Sequence, residues 1–123
     1  MLENGYSGNR AYCQSKLAQI MFTIELGDRL GDSQVTVNAL HPATYMDTNM
    51  VREAGISPAN SVEKGAEAVA YVATSPELAG VTGEFFNVKR HSQANSQAYD
   101  KKARQRLWDI SEELRGQIKH LNT

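Results

Sequence analysis

One cysteine, Cys13, stands in 123 residues. That excludes an internal disulfide framework and suits a reducing compartment, so the cytoplasm is the expected location. Charge of one sign is not in excess: 13 basic residues face 14 acidic ones, for a net charge of −1. The chain therefore has no basic footprint for nucleic acid. No apolar run approaches the roughly 20 residues needed to cross a bilayer. The start, Met1-Leu2-Glu3-Asn4-Gly5, lacks the basic-then-apolar order of a secretory signal. His41, His91 and His120 lie far apart, with no cysteine or carboxylate at ligand spacing, so no metal site is expected. Repeats, low-complexity tracts and linkers are also missing. What is present is an ordinary globular composition, 41% hydrophobic and 22% charged, sized for a single domain over residues 1–123.

Gly5-Tyr6-Ser7-Gly8-Asn9 is turn-prone, and a long helix is expected from about Arg10 to Leu30. Tyr12, Leu17, Met21, Phe22, Leu26 and Leu30 give it a broad apolar face, and Gly31-Asp32-Ser33 reads as its stop. Val35 to Leu40 reads as a strand ending at His41-Pro42, with apolar residues on both parities and so burial on both faces. Residues 43–60 have no sustained periodicity and read as a long loop with a short helix near Thr48 to Ala54. Ser61 is a candidate N-cap for a helix from Val62 to Ala73, which Ser75-Pro76 ends. Gly80-Val81-Thr82-Gly83 is a turn, Glu84 to Val88 a second strand, and His91 to Asn95 a polar connection. A last helix is expected from Gln97 to Ile118, with Leu107, Ile110 and Leu114 on one side and Trp108 at its edge.

Two strands separated by a helix imply a parallel crossover. Parallel sheets need both faces covered, and more than two strands for independent stability. The architecture therefore asks for strands beyond the two expected here.

Tyr12-Cys13-Gln14-Ser15-Lys16 places a phenol and an ammonium at i and i+4, on one helix face. A free phenol is a poor base at neutral pH, and a fixed ammonium nearby favours its ionised form. Such a pair is able to exchange a proton with a substrate hydroxyl or carbonyl. Taken alone, the spacing also fits a half-buried tyrosine beside a solvated lysine.

The context of that pair decides between the two. Ala11 to Gln19, then Val35 to Pro42, then Ala73 to Gly83, then Ala98-Tyr99-Asp100, Leu107-Trp108 and Ser111 to Leu114 occur in the order found in short-chain dehydrogenases/reductases. Over nearly its whole length the sequence resembles that family, and its retinol-dehydrogenase-like branch and bacterial relatives in particular. The resemblance implies an α/β fold, the C-terminal portion of a doubly wound, Rossmann-type parallel sheet. It implies Tyr12 as general acid/base and Lys16 as the residue that holds the nicotinamide ribose and favours the phenolate. His41-Pro42-Ala43-Thr44 matches the segment whose backbone borders the nicotinamide, with Ala43 where the family usually has glycine. Asp47 to Met50 resembles the segment that follows. Thr48 would contact the carboxamide there, an alignment that requires one extra loop residue. The implied cofactor is NAD or NADP, and the implied substrate a hydrophobic alcohol, aldehyde or ketone.

The departures are as informative. No G-x-x-x-G-x-G or G-x-G-x-x-G occurs, so the N-terminal βαβ half that carries the phosphate-binding turn is absent. Ser7 is too close to Tyr12 to be the family's catalytic serine, and the asparagine of its proton relay is missing. Met1 reads as an internal residue of a longer ancestor. The chain is accordingly expected to be a truncated reading frame, a fragment or half of a split protein. The rival to the enzyme reading is an inactive fragment that acts, if at all, by associating with a partner or with itself, through the first helix. Cys13 is expected to be a buried small hydrophobe, and Met21 and Phe22 core. Tyr45 and Met46 either line a pocket or pack the loop. Lys101, Lys102, Arg104 and Arg106 are expected to form a solvated face.

Overall fold

The computed structural model describes the backbone of residues 5–121 and the side chains of 5–118. Helix α1 spans Gly8–Leu30, starting after the extended Ser7 and ending at Gly31, whose φ of 51° favours glycine. Its second half sinks into the protein, burying Met21, Thr23, Glu25 and Gly27. Gly27 allows the closest approach: a Cβ there would stand 3.1 Å from the Gly83 backbone. A side chain would hold the helix off the turn that precedes the second strand.

Strand β1 covers Ala39–His41, shorter than the expected Val35 to Leu40. The reason lies in side chains that take over the ladder. Val37 N–H donates to Thr82 Oγ1 (3.0 Å), Asn38 Nδ2 donates to the Val81 carbonyl (2.9 Å), and Glu84 N–H donates to Asn38 Oδ1 (3.1 Å). Residues 35–38 thus run beside 81–84 with only one direct backbone bond of this kind, Gly83 N–H to the Val37 carbonyl at 2.7 Å. Thr82 and Asn38 replace strand pairing locally.

Within the loop that follows, helix α2 spans Asn49–Glu53. Met46 bridges to Asn60 in parallel fashion, so the loop closes on itself. Helix α3 spans Val62–Thr74 and is capped as expected: Ser61 Oγ accepts from Lys64 N–H at 3.2 Å. It buries Gly65 and Ala68. A 3₁₀ turn at Pro76–Leu78 leads to β2, Phe85–Asn87. β1 and β2 pair in parallel, with Leu40 opposite Phe86, which agrees with the crossover inferred from element order.

The polar run expected to be a connection holds a third strand. β3, Arg90–Ser92, folds back antiparallel on β2 through a two-residue turn at Val88-Lys89. Sequence pattern hides it because an edge strand of arginine, histidine and serine has no apolar alternation. Val88 carries a φ of 60°, a conformation that costs a β-branched residue about 1–2 kcal/mol. Its N–H donates to the His41 carbonyl at 2.8 Å, tying the turn to the end of β1. The sheet order is β1-β2-β3.

A 3₁₀ turn at Ser96–Tyr99 precedes helix α4, Lys101–Leu121, so the α-helix starts later than the expected Gln97. Asp100 Oδ1 caps it by accepting from Ala103 N–H at 3.1 Å. α4 lies antiparallel on α1: Arg104 meets Glu25 and Trp108 meets Phe22. The Phe22 and Trp108 rings stack with centroids 5.6 Å apart, and the Arg29 guanidinium lies 4.4 Å over the indole. Phe86 is the one large side chain fully buried among the described residues. Among the described residues β1 has β2 on one edge and no strand on the other.

Candidate active site

Tyr12 and Lys16 lie one turn apart in the first half of α1. Tyr12 is 52% exposed, and Lys16 Nζ stands 5.5 Å from its ring centroid. At that distance the ammonium and the aromatic face attract each other, which orients both side chains outward from one helix face. Among the described residues neither Tyr12 Oη nor Lys16 Nζ has a hydrogen-bond or ion-pair partner. Both polar ends are free to meet a ligand. Cys13, expected to be buried, is exposed. The helix is sunk by its second half, and Cys13 lies in the open first half.

The segment after β1 is built differently. His41, Pro42, Ala43 and Thr44 leave the sheet at the end of the strand. Ala43 is buried, so a small residue is required where it stands. His41 Nε2 and Thr44 Oγ1 are 3.1 Å apart, and Asn60 Nδ2 donates to the Thr44 carbonyl at 2.6 Å. Thr48 Oγ1 caps α2 by accepting from Val51 N–H at 3.5 Å. Asp47 pairs with Arg52, which braces the same turn. The polar groups of Thr44 and Thr48 are thus engaged within the loop. No hydrogen bond or ion pair links Tyr12 or Lys16 to residues 42–48 among the described residues.

Met46 answers one question that sequence left open. A Cβ on Gly65 would collide with Met46 Sδ, so Met46 packs the loop onto α3. Tyr45 is 52% exposed and adopts a positive φ of 47° at the tip where the loop turns. Two clefts flank the sheet and helices. One, of about 430 Å³, lies between α1 and α4 and is lined by Ala18, Phe22, Leu107 and Trp108. The other, of about 580 Å³, runs between the open side of β1 and α3 and is lined by Leu40, Pro42, Val69 and Val72. Neither includes Tyr12 or Lys16.

Arg104, read from sequence as part of a solvated charge run, is 7% exposed. Its guanidinium donates to the Ala98 carbonyl (3.1 Å) and to Asp28 Oδ2 (3.3 Å), and its Nε lies 3.6 Å from Glu25 Oε2. Glu25, 4% exposed, also pairs with Arg29 at 2.9 Å. These groups fix α4 on α1. Sequence reasoning missed them, since a glutamate and an arginine so far apart in the chain carry no local signal. Among the described residues no helix is long and apolar enough to cross a membrane.

Residues 2–59 match the family model for short chain dehydrogenase. Human Retinol dehydrogenase 14 is 38% identical over 95% of this chain and 38% of its own length. Human Retinol dehydrogenase 13 is 37% identical over 90% of this chain and 38% of its own length. The chloroplastic Short-chain dehydrogenase TIC 32 B of Brassica napus is 32% identical over 89% of this chain and 38% of its own length. The chain is thus similar to short-chain dehydrogenases/reductases, and to retinol-dehydrogenase-like members in particular. It spans less than two fifths of the length of these relatives.

Proposed function

We propose that this chain is the C-terminal, catalytic part of an NAD(P)-dependent oxidoreductase that interconverts an alcohol and a carbonyl compound, with a hydrophobic substrate. The observation that carries the reading is the Tyr12–Lys16 pair. It presents an unpartnered phenol and an ammonium together on one open helix face, in a chain whose residues 2–59 match the family. In this reading Tyr12 Oη takes the hydroxyl proton when an alcohol is oxidised and returns it when a carbonyl is reduced. Lys16 donates to the ribose of the cofactor. When bound, the nicotinamide accepts or supplies the hydride at the substrate carbon.

The described residues fit the nicotinamide end of such a cofactor and not its pyrophosphate. Tyr12 Oη and Lys16 Nζ are free donors on an open face. Pro42, Ala43 and Thr44 would border the ring with their backbone, since the Thr44 hydroxyl is already held by His41. Thr48 would reach the carboxamide only by giving up its cap on Val51. No glycine-rich turn is present to cradle phosphates. A sheet partner along the open edge of β1 would complete the doubly wound sheet that this reading requires.

The test is a chimera in which this chain replaces the aligned segment of human Retinol dehydrogenase 14. Oxidation of retinol, followed by formation of reduced cofactor, is the expected result. A chimera that is folded and binds cofactor yet shows no hydride transfer would refute the assignment.

A further inference from the structure

We infer that Asn60 is a positioning residue for the nicotinamide end of the cofactor: it clasps the loop after β1 and sets the backbone path of residues 42–44. This role rests on the function proposed above, in which that backbone borders the ring. Three hydrogen bonds converge on Asn60. Its Nδ2 donates to the Thr44 carbonyl at 2.6 Å. Its N–H donates to the Tyr45 carbonyl at 3.4 Å, and its carbonyl accepts from Asp47 N–H at 2.9 Å. The two backbone bonds make the parallel bridge between Asn60 and Met46. Asn60 is itself anchored, because the next residue, Ser61, caps α3.

The loop needs such a clasp. Tyr45 turns with a φ of 47°, a left-handed conformation that is unfavourable for any residue with a Cβ. A bend of that kind persists only where the surroundings over-determine it. The Tyr45 side chain is 52% exposed, so packing is not what holds it. Its carbonyl is held instead, by Ala59 N–H at 2.9 Å and by Asn60 N–H. Thr44, just before the bend, is gripped from both sides. His41, at the end of β1, meets its hydroxyl at 3.1 Å, and Asn60, at the start of α3, binds its carbonyl. Ala43 before it is buried. The bond from Asn60 Nδ2 comes from a side chain, so a substitution removes it and leaves the backbone bonds their partners. It lands on Thr44, the last of the three residues that border the ring.

The experiment has two arms. In the full 123-residue chain, Asn60→Asp replaces the donor by an acceptor of the same shape, and Asn60→Ala removes it without adding charge. Hydrogen exchange at the Asp47 and Ala59 amides should quicken by about threefold to tenfold in both variants, the range of one hydrogen bond. Trp108 emission, which reports the distant α1–α4 junction, should stay as in the parent and so show that the fold is kept. In the Retinol dehydrogenase 14 chimera, both variants should weaken the dinucleotide by a similar factor. ADP-ribose, or its 2′-phosphate where NADP is the cofactor, lacks the nicotinamide and should bind as to the parent. A parent chimera that binds cofactor without transferring hydride would refute the proposed activity alone, and the two affinities would still be read. Unchanged exchange in the alanine variant would overturn the clasp. Equal weakening of dinucleotide and ADP-ribose, or no weakening of either, would overturn the positioning role.

Discussion

Replacing Arg104 by alanine isolates the contact that seats α4 on α1. The guanidinium is the partner of two carboxylates and one carbonyl: Glu25, which is 4% exposed, Asp28, and Ala98. Removing one partner from a buried ion pair costs about 3–5 kcal/mol when the other charge is stranded. Here Glu25 keeps Arg29 at 2.9 Å, and the Asp28 side chain is 62% exposed and so loses little. The expected cost is therefore nearer to about 2–3 kcal/mol, the range of a charge-assisted hydrogen bond. Trp108 is the sole tryptophan and stacks on Phe22 across this same junction, so its emission reports the docking directly. Urea titration of Trp108 fluorescence should show Arg104→Ala undocking at clearly lower urea than the parent. Arg104→Met keeps the apolar stem and should recover little, because the loss is electrostatic. Arg104→Met combined with Glu25→Leu removes both charges and should recover most of it. A shift below about 0.5 kcal/mol in the alanine variant, the scale of a surface substitution, would show that Arg104 is incidental to docking.

Val88→Gly should relieve the positive φ in the β2–β3 turn. The gain is a net of about 0.5–1 kcal/mol once the entropy of glycine is subtracted, read as slower hydrogen exchange of the Asn87 to Ser92 amides. Faster exchange there would mean that the valine side chain contributes more packing than its backbone costs. The 123-residue chain alone should bind neither NAD(H) nor NADP(H) appreciably in a calorimetric titration, since it has no phosphate-binding turn. Micromolar binding would contradict that.

The order of elements could be read from sequence because its signals are local. Ser61 caps α3, Gly31 stops α1, and Ser75-Pro76 ends α3, each through chemistry confined to a few residues. The parallel pairing of β1 with β2 followed from an intervening helix. What escaped depends on distant partners. β1 is short because Thr82 and Asn38 side chains replace backbone bonds between segments some forty residues apart. β3 is a polar edge strand. Arg104 is buried because Glu25 and Asp28 are brought to it by the fold. Cys13 is exposed because burial of α1 is confined to the half that α4 and the sheet cover. For the candidate site, the spacing of Tyr12 and Lys16 correctly foretold a shared helix face. The internal engagement of Thr44 and Thr48 was invisible, because it rests on His41, Asn60 and Val51.

Tyr12→Phe in the Retinol dehydrogenase 14 chimera tests the central claim most directly. It removes one hydroxyl from an exposed ring and leaves the packing of α1 untouched. Single-turnover measurement of hydride transfer should fall by about 10² to 10⁴, the usual contribution of a general acid/base, with cofactor affinity preserved. A phenylalanine variant that transfers hydride at the rate of its parent would contradict the role given to Tyr12.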